Sequence, residues 1–378
     1  MARRDTPHIL LVNPWIHDFA AYDFWAKPMG LLQLAAILRD HGLRVSYLDC
    51  LDRHFPGAEA ADGKKRNGRG PYRKEPIAKP AGLQDVKRTY SRYGIPVTCF
   101  RQSLLSLDAP DLILVTSSMT YWYSGVQETI EVVRSVFKDR PVFLGGVYAS
   151  LCSEHAAKTS GADKVVSGPG EQCILDIIAE QTAFSAAPRF DAAVLDTYPY
   201  PAYDLMRRVD YVPLLTSRGC PFRCAYCASG YLQPERLLRS PQSVVDEILF
   251  WHEDEGIVDF AFYDDALLVD AERHFLPMLE KIITGGLDVK FHTPNAIHVR
   301  EISRKAAELM YKAGFETIRL GVETADFERQ RTLDAKVTAD EFSKGIHCLK
   351  DAGFRREQIG AYLLVGLPYQ SLATVIES

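Results

Sequence analysis

Three cysteines on one short loop, Cys220, Cys224 and Cys227 in the run CPFRCAYC, are the residues whose type and spacing most directly invite chemistry. Set four and three positions apart, their thiolates can turn toward a common point. A cubane iron–sulfur cluster held in this way has three irons on protein thiolate and a fourth open to a small molecule. A structural zinc ion asks for four closed ligands, and no fourth Cys or His lies close by in the sequence. Three inert, buried thiols are the bland alternative. Carboxylates form the second group of interest. Asp264 and Asp265 are adjacent, which is costly without a cation, and a bound ammonium is a fitting partner. Asp265 as the cap of a following turn is the other reading. Glu323 follows an apolar run, where a carboxylate is not core filler.

These groups need elements to carry them. Apolar runs at 211–216, 259–263, 288–293, 317–322 and 359–365 read as strands, with amphipathic helices at 241–254, 271–283, 303–313 and 339–352. Repeated βα units predict a parallel, partial (β/α) barrel whose chemistry lies at the carboxyl-terminal strand ends. Those ends gather the cysteine loop, Asp264 and Asp265, His292-Thr293-Pro294-Asn295, Glu323 and Gly366-Leu367-Pro368. The first half alternates in the same way: strands at 8–14, 44–50, 111–117, 141–146 and 164–167, helices at 28–42, 126–137, 153–159 and 168–179. This predicts a doubly wound α/β sheet with ligands at the carboxyl ends of its strands. Asn13, Ser117, Thr120, Gly145, Gly146, Gly168 and Gly170 stand there. Small hydroxyl residues and glycines leave room for a large flat ligand and bare its backbone N–H contacts; tight turns alone are the alternative.

The domains expected are 1–181, a connector at 182–208, and 209–378. An insert at 58–110 carries Lys64, Lys65, Arg66, Arg69, Arg73 and Lys74; its first half reads as an exposed loop, with some helix around Leu104. Tyr121-Trp122-Tyr123 line a cavity or pack as core. His298 and His347 read as packing or surface residues.

The totals narrow the classes. A chain of 378 residues, 47% hydrophobic and 25% charged, suits two globular domains. A formal net charge of −5 argues for neither a nucleic-acid nor a membrane-surface partner. The eight cysteines show no pairing cues outside the loop, the usage of a reducing compartment. Met1-Ala2-Arg3-Arg4 is basic, but the apolar run at 9–12 is too short for a signal-peptide core. A cytoplasmic location is expected.

The CxxxCxxC loop, with Tyr226 just before its last cysteine, resembles that of the radical S-adenosylmethionine enzymes. The resemblance implies that Cys220, Cys224 and Cys227 ligate a 4Fe-4S cluster whose open iron chelates S-adenosylmethionine. An electron from the reduced cluster would split the sulfonium to a 5′-deoxyadenosyl radical. It also implies a small-molecule substrate and an electron donor, a reductant protein. By the same resemblance Tyr226 lies near the adenine and Asp264-Asp265 meet the methionine amino group. Gly321-Val322-Glu323-Thr324 is similar to a GxE element contacting the methionine end or ribose, and Gly366 belongs to the adenine-contacting turn. Residues 8–180 look like the cobalamin-binding domain that precedes the radical domain in a large subfamily. That implies cobalamin as a further cofactor and methyl transfer to an unreactive carbon.

Asp52-Arg53-His54-Phe55-Pro56-Gly57 matches a pattern that gives a histidine to cobalt, yet it follows the second strand instead of the first. It is expected to be accidental, leaving the lower corrin face without this histidine. The family's barrel has a sixth strand, so a chain stopping at Ser378 reads as a fragment. Two rivals remain. One is a radical enzyme of the same architecture performing cyclisation, oxidation or rearrangement without cobalamin. The other is a non-catalytic iron–sulfur or corrinoid-binding protein.

Overall fold

The computed structural model describes residues 6–58, 67–326, 336–367 and 370–378. The basic start at Met1-Ala2-Arg3-Arg4, Lys64, Lys65 and Arg66 of the insert, and Pro368 of the last turn lie outside the described residues. The chain divides into two compact units, Met1–Ala192 with Thr197–Val209, and Ala193–Asp196 with Asp210–Ser378.

The first unit is built on five parallel strands: β1 (His8–Asn13), β2 (Arg44–Asp49), β3 (Leu112–Val115), β4 (Val142–Leu144) and β5 (Lys164–Val165), in the order β5-β4-β3-β1-β2. Every residue of β1 is buried, as expected for a strand covered on both faces. Period-two alternation divides it. Ile9 and Leu11 pack with Leu31 and Ala35 of α1 (Met29–Asp40) and, near the end of the unit, Ile174 and Ile177 of the helix Ile174–Gln181. Leu10 and Val12 pack on the other face with Phe100 of α2 (Val97–Leu105) and Val126 and Ile130 of α3 (Tyr123–Val136). The strand order reverses beside β1, so the ends of β1 and β3 flank the switch point where such sheets take ligands. Residues 197–209 pack with this unit, Tyr203 being fully buried and Ala202 donating its N–H to the Leu32 carbonyl.

The first half of the insert, expected as an exposed loop and described from residue 67, is tied to the fold by short strands although Lys74, Pro76, Ala78 and Ala81 are exposed, and the helix expected around Leu104 is present as α2. Ser91–Tyr93 pairs antiparallel with both Ile16–Asp18 and Lys74–Pro76, and Gly70–Pro71 pairs with Tyr22–Asp23. Tyr72, Tyr90 and Tyr93 are buried, and the Arg69 guanidinium lies 4.8 Å from the Trp25 ring centroid. The aromatic residues supply the apolar surface, and the arginines cover it with their stems.

The second unit continues with β6 (Val212–Leu214), β7 (Asp259–Phe262), β8 (Lys290–His292), β9 (Ile297–His298), β10 (Phe315–Glu323) and β11 (Ile359–Leu363), all joined by parallel pairing. β9 and β11 flank β10, both meeting it at Leu320 and Gly321. The intervening helices Pro241–Leu249, Phe275–Gly285, Arg304–Lys312 and Ala339–Ala352 fall where the apolar periodicity places them. Their ends are written locally: Ser240 accepts from the Ser243 N–H ahead of Pro241, and Thr338 forms a capping box with Glu341. Phe262, Phe275, Phe291 and Phe315 form one aromatic cluster behind the sheet. Among the described residues no helix is long and apolar enough to cross a membrane.

One partly buried charge cluster joins the insert to α3. Glu128 receives hydrogen bonds from Arg92 Nε at 2.7 Å and from His17 Nε2 at 2.8 Å. Burial pushes its carboxyl up, but these hydrogen bonds and the two charges outweigh it and hold the group at about 2. A depressed carboxylate contributes stability that is present above the unfolded value and lost as pH falls through the folded one. Glu128→Gln is therefore expected to cost about 2 kcal/mol at pH 7. In urea titrations the gap between wild type and variant should close as pH falls from 4.5 toward 2; a pH-independent gap would contradict this account.

Candidate functional site

The cysteine loop begins where β6 ends. Ser217–Arg218 pairs antiparallel with Leu237–Leu238, clasping the base of the loop. Gly219 enters it with φ +80°, and a Cβ there would lie 2.5 Å from the Glu235 carbonyl oxygen, so only glycine fits. None of the three cysteines is in a disulfide; Cys220 and Cys224 are half-buried and Cys227 is exposed. The Cys227 N–H donates to the Cys224 carbonyl, and Ser229 N lies 3.4 Å from Cys227 Sγ as a donor. Phe222 anchors the loop from within, its ring 4.5 Å from that of His298 and 4.3 Å from the Arg300 guanidinium. Burial pushes the Cys220 thiol up, the nearby Asp265 charge adds to this, and Lys336 opposes it. Among the described residues no three His, Cys, Asp or Glu side chains close on a single metal ion. A cubane places each thiolate on its own iron, so this donor set suits a cluster and not a zinc ion.

The two adjacent carboxylates have different fates. Asp264, 2% exposed, accepts from Thr216 N and Oγ1 and from Ser217 N and Oγ, at 2.6–3.1 Å. It ties the end of β7 to the segment leading into the cysteine loop, so its expected contact with a ligand ammonium is corrected to an internal brace. Burial raises its carboxyl, and the same hydrogen bonds oppose that. Asp265 is half-buried and lies toward the loop, coupled to Ser229 and Cys220; burial raises its carboxyl and the Asp264 charge raises it further.

At the end of β10 Glu323 is 7% exposed, and its Oε1 lies 2.5 Å from Lys336 Nζ. Its φ of +64° is a strained value for a residue with a side chain. A Cβ on Gly321 would lie 2.5 Å from the same Lys336 Nζ, so the pair closes over that glycine. Lys336 was invisible in the sequence, since nothing local links it to a carboxylate thirteen positions earlier.

The polar groups at the end of β8 are engaged internally. His292 is fully buried between Asp259, at 2.9 Å, and Thr317, at 3.1 Å. Thr293 Oγ1 accepts from Arg319 N, and Asn295 donates to the Tyr263 carbonyl. Tyr226 is exposed, and Gly366 has φ +88° with its N–H on Gln370 Oε1. His298, expected as packing or surface, is buried beside the loop with its Nδ1 lacking a partner.

In the first unit the strand ends carry both braces and open ground. Asn13 donates to Asp49 at 2.7 Å, and Ser117 Oγ donates to the Gly145 carbonyl at 2.6 Å. Gly146 has φ +94°, and a Cβ there would meet the Ser117 carbonyl oxygen at 2.2 Å. These three residues therefore hold the rim together. Gly170 sits against Leu34, whereas Gly168, with φ +84°, faces open space. Thr120 is half-buried, and Ser118, Met119 and Tyr121 next to it are exposed. In the DxHxxG match Asp52 accepts from His54 N and pairs with Arg207, while Arg53 pairs with Asp23 at 2.9 Å. A depression of about 1110 Å³ lies at the opposite, amino-terminal strand ends, where Arg134 pairs with Asp163 and Arg140 with Asp111.

Residues 214–378 match the Radical SAM superfamily, so this part of the chain is a radical SAM domain. An uncharacterized methyltransferase of Pyrococcus horikoshii is 24% identical over 277 residues, 64% of this chain and 59% of that protein. Cytidylyl-2-hydroxyethylphosphonate methyltransferase of Streptomyces wedmorensis is 21% identical over 95% of this chain and 73% of its own length. Among solved structures, the radical S-adenosylmethionine methyltransferase TsrM of Kitasatospora setae, with cobalamin and a 4Fe-4S cluster bound, superimposes with a TM-score of 0.69. That match has 17% identity and covers 98% of this chain and 69% of that one. The cobalamin-dependent radical enzyme OxsB, with aqua-cobalamin and S-adenosylmethionine bound, gives 0.66 at 13% identity, covering 99% and 51%. The fold of this chain is thus that of a sheet domain followed by a radical SAM partial barrel, and the chain spans about three fifths of the Pyrococcus relative.

The neighbouring aspartates should separate on substitution. Asp264→Ala strips four donors of their acceptor and is expected to cost about 3 kcal/mol, read as a lower urea midpoint. Asp265→Asn should shift the midpoint by less than about 0.5 kcal/mol. Equal losses would mean that both carboxylates are structural.

Proposed function

We propose that this chain is the core of a radical S-adenosylmethionine methyltransferase acting on an unactivated carbon of a small molecule, with cobalamin as second cofactor and a reductant protein as electron donor. The observation that carries this reading is three thiols, none in a disulfide, on a clasped loop at the carboxyl-terminal end of a parallel sheet, faced by Asp265. Cys220, Cys224 and Cys227 would hold the cluster, and the Ser229 N–H aimed at Cys227 would temper the charge on that sulfur. Asp265 would accept the ammonium of S-adenosylmethionine. Glu323, kept in place by Lys336, would orient the methionine end or ribose, while Tyr226 and Gly366 would border the adenine. When bound, the cluster and S-adenosylmethionine supply a hydrogen-abstracting radical and cobalamin a transferable methyl group; the protein's part is to position them and exclude water.

In the first unit the open ground around Thr120 and Gly168, with exposed Met119 and Tyr121, would receive the corrin, and Gly145 and Gly170 would border it. Asn13, Ser117 and Gly146 would act by bracing that rim. The same internal bonding favours a second reading, a radical enzyme whose first unit is a scaffold without corrinoid. Eight cysteines outside any disulfide suit a reducing compartment such as the cytoplasm.

The test is anaerobic reconstitution with iron, sulfide and hydroxocobalamin, then desalting and absorption spectroscopy. Wild type should retain cluster and corrinoid bands near one equivalent each, and a Cys224→Ser variant should lose the cluster while keeping the corrinoid. With reductant and substrate, S-adenosylhomocysteine should appear alongside 5′-deoxyadenosine. Cluster without corrinoid would overturn methyl transfer in favour of the scaffold reading. Neither chromophore would overturn the radical reading itself.

A further inference from the structure

One face of the second unit's sheet carries a buried polar group that the roles above do not use. Along β10, Gly321 lies on the face opposite Ile318 and Leu320, which are buried. His298 of β9 stands in register beside Gly321, and residues paired in this way share a face. A Cβ on Gly321 would meet Lys336 Nζ at 2.5 Å and Glu323 Oε1 at 3.3 Å, so the Glu323–Lys336 pair closes over the same face. Phe222 of the cysteine loop packs on the His298 ring, 4.5 Å between centroids. The imidazole thus stands between the cysteine loop and a strand position that has no side chain.

His298 is 5% exposed, and its Nδ1 has no hydrogen-bond partner among the described residues. A bare buried nitrogen is costly, and a bound group is what would satisfy it. The surroundings select the chemistry of that group. Burial, then Lys336 and Arg300, push the imidazole down to about 3, so the ring is neutral at working pH. A cationic group would meet like charge from the same two residues. An anionic group would find them engaged, Lys336 with Glu323 and Arg300 with Glu301 and the Phe222 ring. A neutral hydroxyl or amide fits, because a neutral imidazole can give or take a hydrogen bond. Depth sets the source of the group. Asp265, Glu323 and Gly366, assigned above to S-adenosylmethionine, stand at strand ends, whereas Gly321, level with His298, lies about 7 Å short of the end of β10.

We propose that His298 is a specificity-determining residue whose Nδ1 hydrogen-bonds a neutral hydroxyl or amide group of the substrate. The proposal rests on the reading above for its place in the reaction, and it deepens that reading by naming the kind of substrate group recognised. A substrate held here would be fixed on a strand packed against the cysteine loop, which favours one orientation of its reacting carbon. An analogue lacking the hydroxyl or amide would leave the buried nitrogen bare again and be rejected for that reason.

The experiment labels the full chain with ¹⁵N-histidine, reconstitutes it and follows the ring-nitrogen NMR signals, His298 being assigned by its loss in His298→Asn. Acetamide is the neutral probe, and acetate and methylammonium are charged controls. A saturable shift of the His298 Nδ1 signal with acetamide is expected, with either control binding at least about tenfold more weakly. By calorimetry, His298→Phe, which keeps a ring against Phe222, should weaken acetamide about tenfold. His298→Asn, which restores an amide near the same position, should recover most of that loss. Cluster loading, and S-adenosylmethionine binding by equilibrium dialysis, should stay within about twofold of wild type in both variants. No saturable shift, or charged controls that bind as tightly as acetamide, would overturn the proposal. An Nδ1 signal already typical of a hydrogen bond and unmoved by any probe would overturn it in favour of a trapped water. Displacement of acetamide by S-adenosylmethionine, with weaker binding of that molecule in His298→Phe, would overturn it in favour of the adenosyl group as occupant. Acetamide binding at His298 in a protein that loads no cluster would support the site while removing the radical reading on which its role depends.

Discussion

A single buried carboxylate decides how the chemistry-bearing loop is presented. Asp264 stands at the end of β7 and draws in both the backbone and the hydroxyls of Thr216 and Ser217, the residues that lead from β6 into the cysteines. Burying a charge is tolerable only when its lone pairs are met by donors, and four donors converge here. That convergence forces two neighbouring strands to end in register and sets the direction in which the loop departs. The clasp of Ser217–Arg218 with Leu237–Leu238, the left-handed Gly219 and the seating of Phe222 then follow from one fixed starting point.

Around this anchor the second unit spends its irregular backbone sparingly and where function would need it. Glu323 holds a left-handed conformation at the end of a long strand, and Lys336 keeps it there. Strain of that kind survives only when the surroundings over-determine it. Here Gly321 yields the space and the salt bridge supplies the restraint. Electrostatics on this face is layered in the same way: burial holds up the carboxylates nearest the loop, and burial, with Lys336 and Arg300 adding to it, holds His298 neutral.

The first unit answers a different demand. Its sheet is buried on both faces, so its sequence freedom lies at the strand ends. There the same residues that suggested a ligand site partly serve one another: Ser117 locks Gly145, and its carbonyl leaves no room for a side chain on Gly146. What remains open is the ground around Gly168, Met119 and Tyr121. A rim built from small residues is therefore both cause and consequence of tight packing, and glycine content alone does not separate the two.

The sequence by itself determined what is local or periodic. Apolar alternation marked the strands and helices of both units, caps such as Ser240-Pro241 and Thr338/Glu341 marked helix ends, and spacing alone singled out Cys220, Cys224 and Cys227. In the Asp52-to-Gly57 stretch the fold engages Asp52 with Arg207 and Arg53 with Asp23. Tertiary structure decided which polar side chains are consumed internally. Asp264 and Asp265 look alike in sequence, yet one braces two strands and the other faces the loop. His292 and His298 are six positions apart, yet one is satisfied by Asp259 and Thr317 while the other keeps a bare nitrogen. Lys336 acquires meaning only when the chain folds it over Gly321. The reason is physical: periodicity and capping depend on neighbours a few residues away, whereas the partner of a buried charge is set by strand register and loop return, which join residues tens of positions apart.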